Sequence, residues 1–199
     1  MASISTIKAI SRLKELDLKV ISPTLLSKVL NIENRHTIYK IFERMEKYKL
    51  IQKLIKGKYI LSDLQMSDFE KANIILSPSY ISLESALSYY GILPQFTYSI
   101  TSVTTQKSRK YKIKTKEYDY TKIQKAIFSD FVKKDNFLIA IPEKALIDLI
   151  YLASKNIGSL NLSDLDLSII NWKTFDKIKM GINYKPFQNY IKTHNLDNR

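Results

Sequence analysis

The stretch Ser22-Pro23-Thr24-Leu25-Leu26-Ser27-Lys28-Val29-Leu30-Asn31-Ile32-Glu33-Asn34-Arg35-His36-Thr37-Ile38-Tyr39-Lys40-Ile41-Phe42-Glu43-Arg44-Met45 decides how the first part of this chain folds. Ser22 ahead of Pro23 pairs a capping hydroxyl with a residue whose fixed φ suits a first helical turn. Leu25, Leu26, Val29 and Leu30 then share one side of a short helix. Residues 31–34 interrupt it, and Asn34 is placed to cap a further helix over residues 35–49. In that helix Ile38, Ile41, Phe42 and Met45 recur at i, i+3, i+4 and i+7, a stripe that must face a core. The opposite face carries Arg35, His36, Thr37, Tyr39, Lys40, Glu43, Arg44 and Lys47.

Upstream, Ile4, Ile7, Ile10 and Leu13 predict an amphipathic helix ending near Asp17, with Ser3 or Ser5 as its cap. Downstream, Leu50–Ile55 and Lys58–Leu61 are β-prone runs around Lys56-Gly57, the pattern of a hairpin with Lys53, Lys56 and Lys58 near its tip. Two helices joined by a four-residue turn, followed by a hairpin, predict a winged helix-turn-helix over residues 1–63. A helix of this kind fits the major groove of DNA. Arg35, His36, Thr37, Tyr39 and Lys40 are then the candidates for contacts at or near base edges, and Arg44, Lys53, Lys56 and Lys58 for phosphates.

The composition agrees with a polyanionic partner. The 199 residues carry a net charge of +13, with 45% hydrophobic residues to build a core and no cysteine for disulfides, thiolate metal sites or a thiol nucleophile. The excess charge sits in two places: residues 1–64 hold 13 basic and 6 acidic side chains, and residues 106–125 hold 8 and 2. Lys8, Arg12 and Lys14 interrupt any secretory leader and no apolar run is long enough for a membrane span, so a cytoplasmic location away from membranes is expected.

Residues 64–199 predict a second, mixed α/β domain with an antiparallel sheet and closing helices, making the whole chain α+β. Ser67 caps a linking helix over residues 68–76, and residues 77–82 form a turn-rich approach to a helix capped by Ser82 and stopped at Gly91. From Phe96 to about Leu138 the pattern turns β. Tyr98–Thr104 is one strand. Lys110–Lys116 alternates strictly, with Lys110, Lys112, Lys114 and Lys116 on one face, and Lys107 and Arg109 extend the row. Residues 118–123, 126–132 and 137–141 supply further strands. The basic row has two readings: phosphate contacts beside the winged helix (Lys107, Arg109, Lys110, Lys112, Lys114), or charged side chains that keep a sheet edge from pairing with another chain. Pro142–Leu152 predicts a central core helix, residues 163–193 two or three closing helices, and the polar tail from Thr193 a frayed end.

Catalysis finds little support. The histidines are His36 and His194, no HExxH, GxSxG or GxxxxGK[ST] pattern exists, and four glycines leave little for a phosphate-cradling loop. Glu143, Lys144 and Asp148 form a carboxylate–lysine set of the kind nucleases use, but helix-start electrostatics plus a solvent-facing acid is the simpler account. No enzyme, metal or cofactor is expected.

Three blocks carry a family likeness. Residues 78–94 (Pro-Ser-Tyr-Ile-Ser-Leu-Glu-Ser-Ala-Leu-Ser-Tyr-Tyr-Gly-Ile-Leu-Pro), 100–105 (Ile-Thr-Ser-Val-Thr-Thr) and 139–148 (Ile-Ala-Ile-Pro-Glu-Lys-Ala-Leu-Ile-Asp) resemble the signature stretches of AbiEi-type antitoxins. With the N-terminal winged helix, the likeness covers residues 1–155. It implies the antitoxin of a type IV toxin–antitoxin pair, an abortive-infection phage defence. Such a protein is a monomer in solution that binds as two copies on operator inverted repeats and represses its own operon. It opposes a nucleotidyltransferase-like toxin without a stable complex, through its C-terminal domain, and basic patches on both domains contribute to DNA binding. The rival reading is a protein–protein module acting on a toxin or its target without sequence-specific DNA binding.

Overall fold

Ser22 and Asn34 punctuate the N-terminal helices as their side chains dictate. In the computed structural model, which describes residues 4–95, 97–158 and 161–197, Ser22 Oγ accepts from Leu25 N (3.1 Å), and Asn34 Oδ1 accepts from His36 N (2.9 Å) and Thr37 N (3.3 Å). The predicted Ser3 cap and Phe96 lie outside the described residues, as do the side chains of residues 4 and 5. The chain divides into two compact units, Met1–Ser67 and Asp68–Arg199.

The first unit runs α1 (Ile4–Glu15), β1 (Val20–Ile21), α2 (Pro23–Leu30), α3 (Arg35–Lys47), β2 (Ile51–Ile55) and β3 (Lys58–Leu61). Asn31 turns left-handed (φ 53°) to end α2, a conformation its short polar side chain tolerates. The α3 stripe Ile38, Ile41, Phe42 and Met45 is buried with Leu13, Ile21, Leu26, Ile51 and Leu61 in one core. Gly57 (φ 81°) makes the β2–β3 turn, where a left-handed residue is needed. The sheet has a third strand that periodicity did not reveal: β1, two residues long, pairs antiparallel with β3 through Val20↔Ile60 and Ile21↔Tyr59. Leu64, read from sequence as the first residue of the second domain, packs against this core.

The second unit is a mixed sheet with helices. Its elements are α4 (Asp68–Ile75), β4 (Ser79–Ile81), α5 (Leu83–Tyr89), β5 (Ser99–Thr104), β6 (Arg109–Ile113), β7 (Lys116–Lys122), β8 (Phe131–Lys134), β9 (Phe137–Ala140), α6 (Pro142–Ala153), α7 (Trp172–Met180) and α8 (Lys185–Thr193). The strand order is β6-β7-β5-β4-β9-β8.

Several expectations are corrected here. The sheet is not purely antiparallel, because β4 runs parallel to β9 and β5 parallel to β7. Residues 79–81 are not a turn but the strand β4 between β5 and β9. The 68–76 helix is no linker: Ala72 and Ile75 are buried, Tyr120 Oη donates to Ala72 O (2.6 Å), and Asn73 Oδ1 accepts from Leu138 N (2.6 Å). The row Lys110–Lys116 is not one strand but the two arms of a hairpin, turning at Lys114 (φ 54°) and pairing Ile113 with Lys116. Alternation survives a tight turn, so it could not distinguish one strand from two arms. Residues 126–132 give a 3₁₀ turn (Lys125–Ile127) before β8 begins at Phe131. The tail is tied down as far as Asp197: Leu196 is buried, His194 stacks on Tyr190 (4.0 Å between centroids), and Asp197 pairs with Lys179 (2.8 Å). Among the described residues no helix is long and apolar enough to cross a membrane.

Candidate nucleic-acid interface

The buried stripe of α3 fixes which way its other residues face. Ile41 and Met45 are inaccessible, and the Phe42 ring packs on Tyr59 of β3 (5.0 Å between centroids). Arg35, His36, Thr37, Tyr39, Lys40 and Arg44 are therefore all exposed, with Tyr39 keeping 59% of its surface. His36 and Thr37 donate their backbone N–H groups to the Asn34 cap while their side chains remain outside. Among the described residues Arg35 and Lys40 form no ion pair, so their charges are available to a partner.

On the hairpin, Lys53 and Lys56 are exposed and Lys58 is only partly so. Burial holds the Lys58 ammonium below its ordinary pKa. The positive tip is thus mainly Lys53 and Lys56. The base-facing and phosphate-facing sets predicted in the first unit both lie on its surface.

The second basic set is partly neutralised. β6 is an outer strand, and its register sets Lys110 opposite Asp119 and Lys112 opposite Glu117 of β7. Both pairs close into salt bridges, at 3.1 and 3.4 Å. Arg109 Nη1 lies 3.5 Å from Tyr111 Oη. Lys107 and Lys114 are exposed and form no ion pair among the described residues. Lys116, in β7, is not part of the row.

A buried polar cluster in the second unit overturns the reading of Asp148 as a solvent-facing acid. Asp148 has no exposed surface and its ion-pair partner Lys144 has 1%. Asp148 Oδ2 accepts from Tyr80 Oη (2.9 Å) and Ser82 Oγ (2.8 Å). Ser82 therefore precedes α5 without capping it through its side chain. Burial pushes the Asp148 carboxyl above the usual carboxylate range, opposed by Lys144 and the two hydroxyls. Glu143 is also buried and accepts from Asn171 N (2.9 Å), which joins α6 to the start of α7. A signal was present: Ala145–Leu152 is apolar all round the helix, so an acid inside it has no wet face to occupy. Among the described residues no group of three or more His, Asp or Glu side chains could hold a metal ion.

No protein-family model matches this chain, and no curated protein matches its sequence.

Proposed function

We propose that this chain is a DNA-binding autorepressor and antitoxin of the AbiEi type. Its first unit is read as a winged helix-turn-helix whose α3 enters the major groove while the β2–β3 hairpin clamps the backbone. One observation carries the DNA reading: α3 is seated by a buried stripe and capped by Asn34, so Arg35, His36, Thr37, Tyr39 and Lys40 are presented together on one helix, in the same unit as exposed Lys53 and Lys56. An α-helix presented this way reaches base edges, and flexible lysines at a hairpin tip supply sequence-independent phosphate contacts. The row on β6 adds less, since Lys110 and Lys112 already face carboxylates.

The antitoxin role rests on the likeness of residues 78–94, 100–105 and 139–148 to that family. In this reading the protein is cytoplasmic, two copies occupy an inverted repeat, and the partner in function is a nucleotidyltransferase-like toxin. A gel-shift titration against the DNA upstream of its own gene tests the first claim. About six phosphate contacts cost ~1000-fold in affinity between about 50 and about 200 mM salt. Failure to retain that DNA even at low salt overturns the repressor. Co-expression with the neighbouring gene tests the second claim: rescue of growth supports the antitoxin, and continued toxicity removes it.

A further inference from the structure

The outermost stripe of α3 has an acid in its middle. With about 3.6 residues per turn, His36, Lys40, Glu43 and Lys47 lie directly opposite the buried Ile38, Ile41, Phe42 and Met45. All four are exposed. Glu43 is placed for the ordinary surface pair of a helix, with Lys47 four residues on or Lys40 three residues back. It makes neither: among the described residues its carboxylate forms no ion pair.

The consequence drawn here rests on the reading of α3 as the helix that enters the major groove. On such a helix, residues at i, i+3, i+4 and i+7 of the outer face meet base edges. In α3 these are His36, Tyr39, Lys40 and Glu43, which span about 10 Å, the height of about three base pairs. A carboxylate held there is repelled by the phosphates and gains only from a hydrogen-bond donor. The donors on the groove floor are the amino groups of cytosine and adenine. Adenine sets its N7 acceptor beside its amino group, whereas cytosine presents N4 without an adjoining acceptor on its own edge. Guanine and thymine show no donor there.

We propose that Glu43 is a specificity-determining residue that accepts a hydrogen bond from cytosine N4, so that specific binding requires a C·G pair at one fixed position of each half-site.

Selection of tight-binding duplexes from a randomised pool, at one salt concentration, tests this with the full chain and two variants. Glu43 is exposed, so Glu43→Gln and Glu43→Ala keep the fold, which circular dichroism checks. The parent protein should select cytosine at one position, with any other base there binding about tenfold more weakly. Glu43→Gln should move the choice at that position alone to adenine, whose N6 and N7 suit a carboxamide. Glu43→Ala should accept all bases there alike, and should hold non-specific duplexes more tightly because a charge facing phosphates is gone. A selection profile that Glu43→Ala leaves unchanged overturns the proposal while the DNA reading stands. Retention of no duplex even at low salt overturns both. A choice of adenine by the parent protein that Glu43→Ala abolishes overturns the assignment to cytosine.

Discussion

Lys144 and Asp148 face each other one turn apart on α6, and both are sealed from solvent. Tyr80 at β4 and Ser82 just beyond it complete the carboxylate's partners, so the cluster ties the sheet to the helix behind it. Buried ion pairs add little net stability compared with apolar packing, but breaking one strands a charge.

Lys144→Met and Asp148→Asn should each destabilise the protein by about 3–5 kcal/mol. The double variant should lose less than the sum, with a coupling of about 1–3 kcal/mol. Urea denaturation followed by circular dichroism measures all three. Strictly additive losses would show that the two groups do not act as a pair.

The Asn34 cap links the stability of α3 to the presentation of Arg35 and His36. Asn34→Ala removes the acceptor for His36 N and Thr37 N and should cost about 1 kcal/mol. If α3 reads DNA as proposed, it should also weaken operator binding, because it frays the turn that presents Arg35 and His36. Asn34→Asp keeps an acceptor and should retain the stability. Equal melting temperatures for Asn34→Ala and the parent protein would contradict this account.

The β6 row makes a discriminating case for salt dependence. Lys107→Ala or Lys114→Ala should lower the slope of log affinity against log salt by about one each if the row touches phosphate. Lys110→Ala should change it less, because Asp119 already engages that ammonium. Slopes unaltered by Lys107→Ala and Lys114→Ala would leave the row to edge protection alone.

The C-terminal anchor depends on Lys179. Burial lowers its pKa, but Asp176 and Asp197 together outweigh that and raise it above the ordinary lysine value. A raised folded value means its stabilisation is fully present below the unfolded pKa and is lost as pH rises through the folded one. At neutral pH the anchor is therefore intact. Lys179→Met should speed hydrogen exchange at Leu196 under those conditions, and unchanged exchange would show that the tail is held by apolar packing alone.

The first unit was legible because each of its devices is local: a Ser-Pro start, an Asn cap, a 3.6-residue stripe and a Gly turn each act within a few residues. β1 was not, since two residues carry no period and Val20 and Ile21 become a strand only through Ile60 and Tyr59. The same holds for Ser79–Ile81, which lies between Pro78 and Ser82 and becomes a strand by pairing with β5 and β9. The exposed faces of the candidate interface followed directly from the buried stripe. The buried cluster did not, because Tyr80 and Ser82 meet Asp148 across more than sixty residues of sequence.

The two outer strands of the second unit's sheet, β6 and β8, both carry exposed lysines: Lys110 and Lys112 on one, Lys133 and Lys134 on the other. Ammonium rows at both rims disfavour the growth of that sheet by addition of another molecule's strand. Copies brought close together on a nucleic acid would thus resist fusing their sheets into a ribbon. A highly charged protein can in this way be concentrated on a polyanion and still come apart as single molecules when it is released.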